Sequence, residues 1–303
     1  MQRSIDDVVE TVRKAKEREK KCSLLIGAGC SVKANIPTAA GFVNIIKDEE
    51  NGWPEAFKRA KEPKGYPQCM EELGLAERRD LIAGYVDNAK INWAHIAIAQ
   101  LMKHGYVDRV LTTNFDPLVV RACALVGTHP AVYDFAASQV LKPADIPGEA
   151  VFYLHGQRTG FVLMNTKEEC QKHSELLKPL FQDAGQGRVW IVVGYSGEND
   201  PVFDHLANVE RFDNNLYWIG YEDNEPAAHV RDKLLQNGKY AFHVNGFDAD
   251  DFFVTLTTRL KCFPPGFLEK PFSHLDGLLD LLTPYNDPNQ DEQRDVTKKP
   301  REL

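Results

Sequence analysis

The stretch CSLLIGAGCS, residues 22–31, decides how the chain folds. It begins with a short, largely apolar run and continues into a turn that contains two glycines. A run of this length, apolar on both faces and closed by glycine, is typical of a buried parallel strand. Residues 39–49 follow with apolar side chains at helical spacing. The chain is therefore predicted to open as a strand, a glycine turn and a helix.

Strands and helices alternate along most of the remaining sequence. We predict helices over residues 6–21, 117–126, 167–182, 202–211, 227–236 and 250–260. Further strands are predicted over residues 107–112, 131–135, 150–154, 189–194, 216–220 and 240–244. This alternation predicts an α/β, Rossmann-like fold with a doubly wound, mainly parallel sheet. Ligands of such sheets bind at the carboxyl ends of the strands.

Two segments depart from this alternation. Residues 51–105 are first rich in proline, glycine and charge and then strongly helical, so we expect a small helical insertion. Residues 283–303 contain almost nothing apolar, which predicts a flexible tail or linker. We expect residues 1–270 to form the main domain.

The composition excludes several classes of protein. Of the 303 residues, 36 are Lys or Arg and 44 are Asp or Glu, and the net charge of −8 argues against a general affinity for nucleic acid or anionic lipid. The first 21 residues are charged throughout, so we expect a cytoplasmic protein without a membrane partner. The six cysteines lie far apart in sequence with no CxxC pair, so we expect ordinary reduced thiols and no metal site.

Four short segments fall at the predicted carboxyl ends of strands. The first is the glycine turn, where Gly27, Ala28 and Gly29 let the backbone approach a diphosphate and Ser31 follows. A tight strand-to-helix turn explains the same glycines equally well. The usual dehydrogenase signature is absent, because Val32 occupies the position of its third glycine.

The second segment is TTNFD, residues 112–116. Asn114 and Asp116 lie two residues apart, so in an extended turn both side chains face one pocket while Phe115 points into the core. Asp116 also suits the start of the helix at Pro117. We therefore expect Asn114 to face a ligand and Asp116 to be partly structural.

The third and fourth segments follow two further predicted strands. His155, in the tripeptide LHG, is placed to act as a base near neutral pH, because the pKa of a free histidine is about 6.5. A hydrogen-bonded structural histidine is the alternative. The fourth segment, GYSGENDP, is a turn that begins at Gly194, where Ser196 is placed to donate to a phosphate. A turn followed by a helix cap is the alternative there.

The order of these segments is more specific than any one of them. GAGxS, TTNxD, LHG and a GYS turn with a following Asp, each at its own βα junction, resemble the sirtuin (silent information regulator) superfamily over residues 23–253, apart from the insertion. The resemblance implies a sirtuin-like NAD-binding domain. NAD then lies with its diphosphate over the first glycine turn, its nicotinamide riboside near Asn114 and Asp116, and His155 beside the ribose hydroxyls.

The resemblance also implies a role for each matching residue. Asn114 and His155 are the implied catalytic residues, and NAD is the substrate. The implied cofactor-binding residues are Gly27, Ala28, Gly29, Ser31, Thr38, Thr113, Asp116, Gly194 and Ser196.

Two features depart from the protein-deacylating sirtuins. Those enzymes usually follow the glycine turn with Gly-Ile-Pro-Asp-Phe, where this chain has NIPTA at residues 35–39. Asn35 tolerates the left-handed backbone of a glycine, whereas Thr38 in place of Asp is a larger change. The deacylases also carry a zinc ribbon with two cysteine pairs, and the insertion contains only Cys69. This combination resembles the bacterial defence-associated branch, whose members, such as those of Thoeris, are NAD hydrolases.

The leading interpretation is therefore an NAD glycohydrolase that cleaves the nicotinamide–ribose bond and depletes NAD as an anti-phage effector. The resemblance implies a homo-oligomer, joined in some members to a partner ATPase or a sensor module. An NAD-dependent protein deacylase and a catalytically silent NAD or ADP-ribose sensor are the alternatives. We expect no direct binding of nucleic acid.

Overall fold

The computed structural model of the protein describes residues 2–137, 142–146, 148–160 and 162–283. The chain divides into one unit that ends at Phe263 and a second that begins at Pro264. Residues 284–303, which make up nearly all of the expected tail, lie outside the described residues.

Seven strands form one parallel sheet in the first unit, which confirms the predicted fold class. They are β1 (Cys22–Ile26), β2 (Val107–Thr112), β3 (Ala131–Asp134), β4 (Ala150–Tyr153), β5 (Val189–Val193), β6 (Leu216–Ile219) and β7 (Ala241–Val244). Their spatial order is β3-β4-β2-β1-β5-β6-β7. The direction of winding reverses between β1 and β5, and ligands of doubly wound sheets bind at such a switch point.

Eleven helices accompany this sheet in the described part of the first unit. They are α1 (Ile5–Glu17), α2 (Ala39–Ile46), α3 (Pro54–Arg59), α4 (Tyr66–Glu71), α5 (Leu75–Val86), α6 (Trp93–Lys103), α7 (Leu118–Leu125), α8 (Lys167–Gly185), α9 (Val202–Ala207), α10 (Ala228–Lys233) and α11 (Ala249–Arg259).

The sheet is covered by helices on both faces. Leu25, Trp190 and Trp218 belong to one buried apolar cluster with side chains of α8, α9 and α10. Tyr217, between two residues of that cluster, points to the other face, where its hydroxyl lies 2.7 Å from the hydroxyl of Thr11 in α1. Strand residues alternate between faces, so a sheet buried on both sides requires the nearly continuous apolar strands seen here.

The expected insertion folds as helices, but its last helix belongs to the sheet. Helices α3, α4 and α5 share an apolar cluster with α2, and Cys69, Met70 and Ile82 are buried in it. Helix α6 instead packs against α7, α11 and β2, so it forms part of the layer that covers the sheet. The insertion into the sheet domain is therefore limited to the segment from α3 to α5.

The second unit is described as two short helices. They are α12 (Gly266–Glu269) and α13 (Pro271–Leu279), and neither contains a buried residue. Among the residues that the structure describes, no helix combines the length and the apolar character needed to cross a membrane.

The glycine turns after β1 and β5 are in direct contact. The Gly29 amide donates to the Gly194 carbonyl at 2.9 Å, and the Gly27 amide donates to the Val193 carbonyl at 3.1 Å. A Cβ atom on Gly29 would lie 2.6 Å from the Cα atom of Gly194, which itself has a φ of +65°. Neither turn has room for a side chain at this contact, because the opposing atoms are backbone.

A pair of glycine substitutions tests this contact. Gly29→Ala should lower the free energy of unfolding by about 1–3 kcal/mol, the usual cost of overpacking, because two backbone segments must separate. Gly84→Ala is the matched control, since a Cβ atom there meets nothing within 4 Å inside helix α5, and it should gain about 0.5–1 kcal/mol. Urea denaturation measures both changes, and equal stabilities of the two variants would contradict the close contact.

Candidate functional site

The four motif segments follow strands that are neighbours in the sheet. The turns after β4, β2, β1 and β5 carry His155, Asn114, Gly27 and Gly194 respectively, and these four strands are adjacent in that order. All strands are parallel, so their carboxyl ends lie on one edge. The structure thus places the motif segments together at the centre of the sheet.

A buried chain of hydrogen bonds connects the turns after β1 and β2. The Asn114 side-chain amide donates to the Gly27 carbonyl and to the Ser31 hydroxyl, each at 3.1 Å. The Ser31 hydroxyl in turn donates to Asp116 Oδ2 at 2.8 Å. All three side chains are buried. Asn114 and Ser31 therefore join two loops of the protein besides lying at the expected ligand site.

Asp116 supports the start of helix α7, as expected for a partly structural residue. Its Oδ1 atom accepts a hydrogen bond of 3.1 Å from the amide of Leu118, the first residue of that helix. The Tyr153 hydroxyl donates to the Asp116 carbonyl at 3.0 Å. Pro117 occupies the capping position itself. Phe115 is only partly buried and packs against the apolar cluster of the insertion.

The first glycine turn leads to a helix that begins at the expected residue, Ala39. Two short 3₁₀ turns, Ala28–Cys30 and Val32–Ala34, lie between β1 and this helix. The amides of Cys30 and Ser31 donate to carbonyls within the turn. Tight turns of this kind consume amides that an α-helix N-terminus leaves exposed. The turn is therefore closed by its own hydrogen bonds.

The other proposed contact residues have local roles in the structure. Thr38 caps α2 and accepts from the Gly41 amide at 3.3 Å, and the Thr113 amide donates to the Ile26 carbonyl at 3.2 Å. Asn35 has a φ of +64°, so it adopts the left-handed conformation that the sequence suggested it would tolerate. Ser196 is exposed.

His155 follows β4 and makes the most strongly charged contact of the site. Its Nε2 atom lies 3.0 Å from Asp200 Oδ2, and its Nδ1 atom lies 3.7 Å from the Cys170 sulfur. Burial by itself lowers the pKa of His155, but the Asp200 carboxylate and Cys170 outweigh it and raise the pKa well above its usual value. Burial likewise raises the pKa of Asp200, and the His155 imidazole reverses that shift and lowers it. The protonated imidazole and the carboxylate thus stabilise each other as a buried ion pair.

This geometry adds two residues to the site expected from the sequence. Asp200 entered the motif comparison without a role, and Cys170 was taken as an ordinary thiol. The spacing of Asp200 after the GYS turn was the available clue. No feature of the sequence pointed to Cys170. In the structure it is the one cysteine that is partly exposed.

The described residues contain no group of three or more His, Cys, Asp or Glu side chains that is placed to hold a metal ion. The insertion's Cys69 is buried within its apolar cluster.

Known proteins resemble this chain in sequence and in fold. Residues 108–241 match the family model described as the SIR2-like domain. An NAD-dependent protein deacylase of Pseudomonas putida is 26% identical over 256 residues, which cover 80% of this chain and 88% of that protein.

Two further comparisons either cover less of the two chains or show the fold alone. An NAD-dependent protein deacylase of Pyrococcus furiosus is 29% identical over 163 residues, and the match spans only 56% of that protein and 50% of this chain. A triply substituted Sir2 homologue, solved in complex with 2′-O-acetyl ADP-ribose, superposes with a TM-score of 0.52 at 18% identity, covering 84% of this chain and 96% of that one. At that identity the superposition shows the sirtuin-like fold alone.

Alanine substitutions in the buried chain should reveal its structural contribution. The sequence predicts a ligand-facing Asn114, and its observed contacts give it a structural contribution as well. Loss of the Asn114 amide leaves the Gly27 carbonyl without this donor and should cost about 1–3 kcal/mol of unfolding free energy. Asp116→Ala should cost a similar amount, because the Ser31 hydroxyl and the Leu118 amide both lose an acceptor.

Thermal melting of both variants beside Asn51→Ala measures these costs. Asn51 is exposed, and a surface substitution usually changes stability by less than about 0.5 kcal/mol. An Asn114→Ala variant that melts with the Asn51→Ala control would remove Asn114 from the structural network.

Proposed function

We propose that the protein is an NAD glycohydrolase. The observation that carries the proposal is the placement of Asn114, His155 and the two glycine turns on four adjacent strand ends at the switch point of a sirtuin-like sheet. Fold alone does not assign an activity. The proposed chemistry comes from Asn114 and His155, the side chains that the resemblance marks as catalytic, and from their position on the same edge of the sheet.

The chemistry of these side chains suits a dinucleotide. Asn114 offers an amide, Thr38 and Ser196 offer hydroxyls, and His155 offers a cationic imidazole, all of which bind ribose or phosphate oxygens. Ala28 and Gly29 are partly exposed and present bare backbone at the same edge. A neutral to cationic set of donors fits a diphosphate better than an acidic set does.

In the proposed reaction the bond between ribose C1′ and the nicotinamide nitrogen breaks, nicotinamide leaves with the electron pair, and water adds to C1′. Asn114 orients the ribose or the water through its amide, which needs no change of protonation. His155 accepts the proton of the water or of a ribose hydroxyl once its own proton has been lost. Asp116, held by Ser31 and the start of α7, contributes a fixed negative charge beside the positive charge that develops on ribose.

Deacylation is the second candidate, and the names of the sirtuin relatives favour it. The same Asn and His serve that reaction in the family. The insertion favours hydrolysis instead, because its helices α3 to α5 form an apolar cluster with α2 where the deacylases have a zinc ribbon that supports the acyl-peptide cleft. The defence role, the homo-oligomer and a partner ATPase or sensor module are part of the proposal through the resemblance to the defence-associated branch.

Release of nicotinamide from NAD by the purified protein tests the proposal. His155→Gln is the informative variant, since its amide can still donate to Asp200 but cannot take a proton; it should lower the rate about 10²- to 10⁴-fold. His155→Ala would leave Asp200 buried without its partner and confuse activity with stability. His129→Ala is the matched control. His129 is exposed and lies in the loop that enters β3, at the amino ends of the strands.

The assay is run with and without an acetylated peptide. Release that requires the peptide would establish deacylation instead, and NAD binding without release in any oligomeric state would establish a sensor. Release that is unaffected by His155→Gln would remove His155 from the mechanism.

The pH dependence of activity and stability should run in opposite directions. The pKa of His155 is raised, so neutral imidazole accumulates only as pH rises through that value, above about 6.5, and NAD cleavage should increase over the same range. The ion pair stabilises the fold fully below the unfolded pKa of histidine, and that contribution is lost as pH rises through the folded pKa. Rate and melting temperature measured from pH 6 upward check both trends, and a rate that falls as pH rises from 6 to 8 would contradict the base role.

A further inference from the structure

Asp200 is held in place by both of its carboxylate oxygens. Oδ2 lies 3.0 Å from His155 Nε2, and Oδ1 accepts a hydrogen bond of 3.0 Å from the amide of Val202, the first residue of α9. The His155 and Asp200 side chains are only 10% and 16% exposed. A carboxylate that is hydrogen-bonded at both oxygens is held in one orientation, and it therefore fixes the orientation of the ring that binds it.

The two ring nitrogens of His155 consequently differ. Nε2 is engaged by Asp200, whereas Nδ1 faces the partly exposed Cys170 sulfur at 3.7 Å. Hydrogen bonds to sulfur at this distance are weak, and a ligand oxygen can replace one. The Met164 amide donates to the His155 carbonyl at 2.9 Å and fixes the backbone below the ring.

The groups that face this pair come from three elements. Asp200 approaches from the start of α9, Cys170 from α8, and Tyr195 from the turn after β5. Burial and the Asp200 carboxylate raise the pKa of Tyr195 well above its usual value, so its hydroxyl stays neutral across the physiological range.

We propose that Asp200 is a positioning residue for His155: it retains the proton on Nε2, so that Nδ1 is the nitrogen that exchanges a proton with the substrate. This inference rests on the proposed function for the identity of the reaction. The arrangement follows the logic of a base oriented by a carboxylate, in which the carboxylate selects the tautomer and stabilises the imidazolium that forms. The proton moves from the attacking water or a ribose hydroxyl to Nδ1, and Asp200 stays ionised.

Asp200→Asn separates orientation from simple structural support. The side-chain oxygen of Asn can still accept from the Val202 amide, so the start of α9 is preserved. Its NH₂ group would face His155 Nε2, and Nε2 would then have to act as an acceptor. The neutral ring would carry its proton on Nδ1, where it blocks proton acceptance, and we expect nicotinamide release to fall by about 10²- to 10⁴-fold. Asp204→Asn, which removes the same charge from an exposed position of α9, should retain the wild-type rate.

Nitrogen NMR of histidine-labelled protein supplies a readout that does not need NAD cleavage. In the wild type, the neutral form of His155 should carry its proton on Nε2, and its titration midpoint should lie above that of a free histidine. In Asp200→Asn the midpoint should fall and the neutral tautomer should change to Nδ1–H. The wild-type tautomer alone remains decisive if the Asn variant does not fold.

The outcomes distinguish this inference from the proposed function. A wild-type protein that releases no nicotinamide but shows the Nε2–H tautomer and the shifted midpoint overturns the hydrolase and supports the positioning. An Nδ1–H tautomer in the wild type, or an Asp200→Asn variant with an unchanged midpoint and full activity, overturns the role of Asp200.

Discussion

The contact between the two glycine turns is the constraint on which the rest of the site depends. Gly29 and Gly194 approach so closely that backbone meets backbone across the switch point of the sheet. The Gly27 carbonyl in this contact accepts from Asn114, whose amide also binds Ser31, and Ser31 binds Asp116. The position of the β2 turn and the start of α7 are thereby tied to a distance that only glycine permits.

The turn after β5 links both halves of the site. At its beginning Gly194 meets the first glycine turn, and at its end Asp200 holds His155. The turn has fewer than ten residues, and it connects the groups that hold the Asn114 amide and the His155 imidazole, although these two side chains follow different strands. A site that needs precise relative placement gains from such a rigid, hydrogen-bonded connection.

The sequence predicted the sheet well because its strands are short, apolar and closed by glycine or polar residues. Strands β1 and β2 were placed at their observed ends, and the others within one residue. The contact that the first glycine turn makes with Gly194 could not be foreseen, because the Gly29 amide finds its acceptor far away in sequence. The same limit applies to α6, which has the composition of an insertion helix but packs against β2 and α11.

The site residues show the same division between local and distant information. The motifs located Asn114 and His155 from local sequence and their resemblance to a family. The protonation of His155 depends on Asp200, which lies 45 positions further along the chain. No local sequence pattern indicates that these two residues are neighbours in the fold. The pKa of His155 is therefore raised by a partner that comes from another strand end.

Stability gives little reason for a buried ion pair at this position. Desolvation of two charges offsets most of their attraction, and apolar side chains of similar volume often serve a fold as well or better. Much of the sheet is built in that apolar way, with Leu25, Trp190 and Trp218 beneath the strands. Another buried ion pair, Arg109 with Asp183, lies away from the carboxyl ends of the strands. A charged pair at the carboxyl ends of β4 and β5, beside bare glycine backbone, is better explained by chemistry. It fixes the tautomer of an imidazole and leaves free for the substrate the nitrogen that lies 3.7 Å from the sulfur of the partly exposed Cys170.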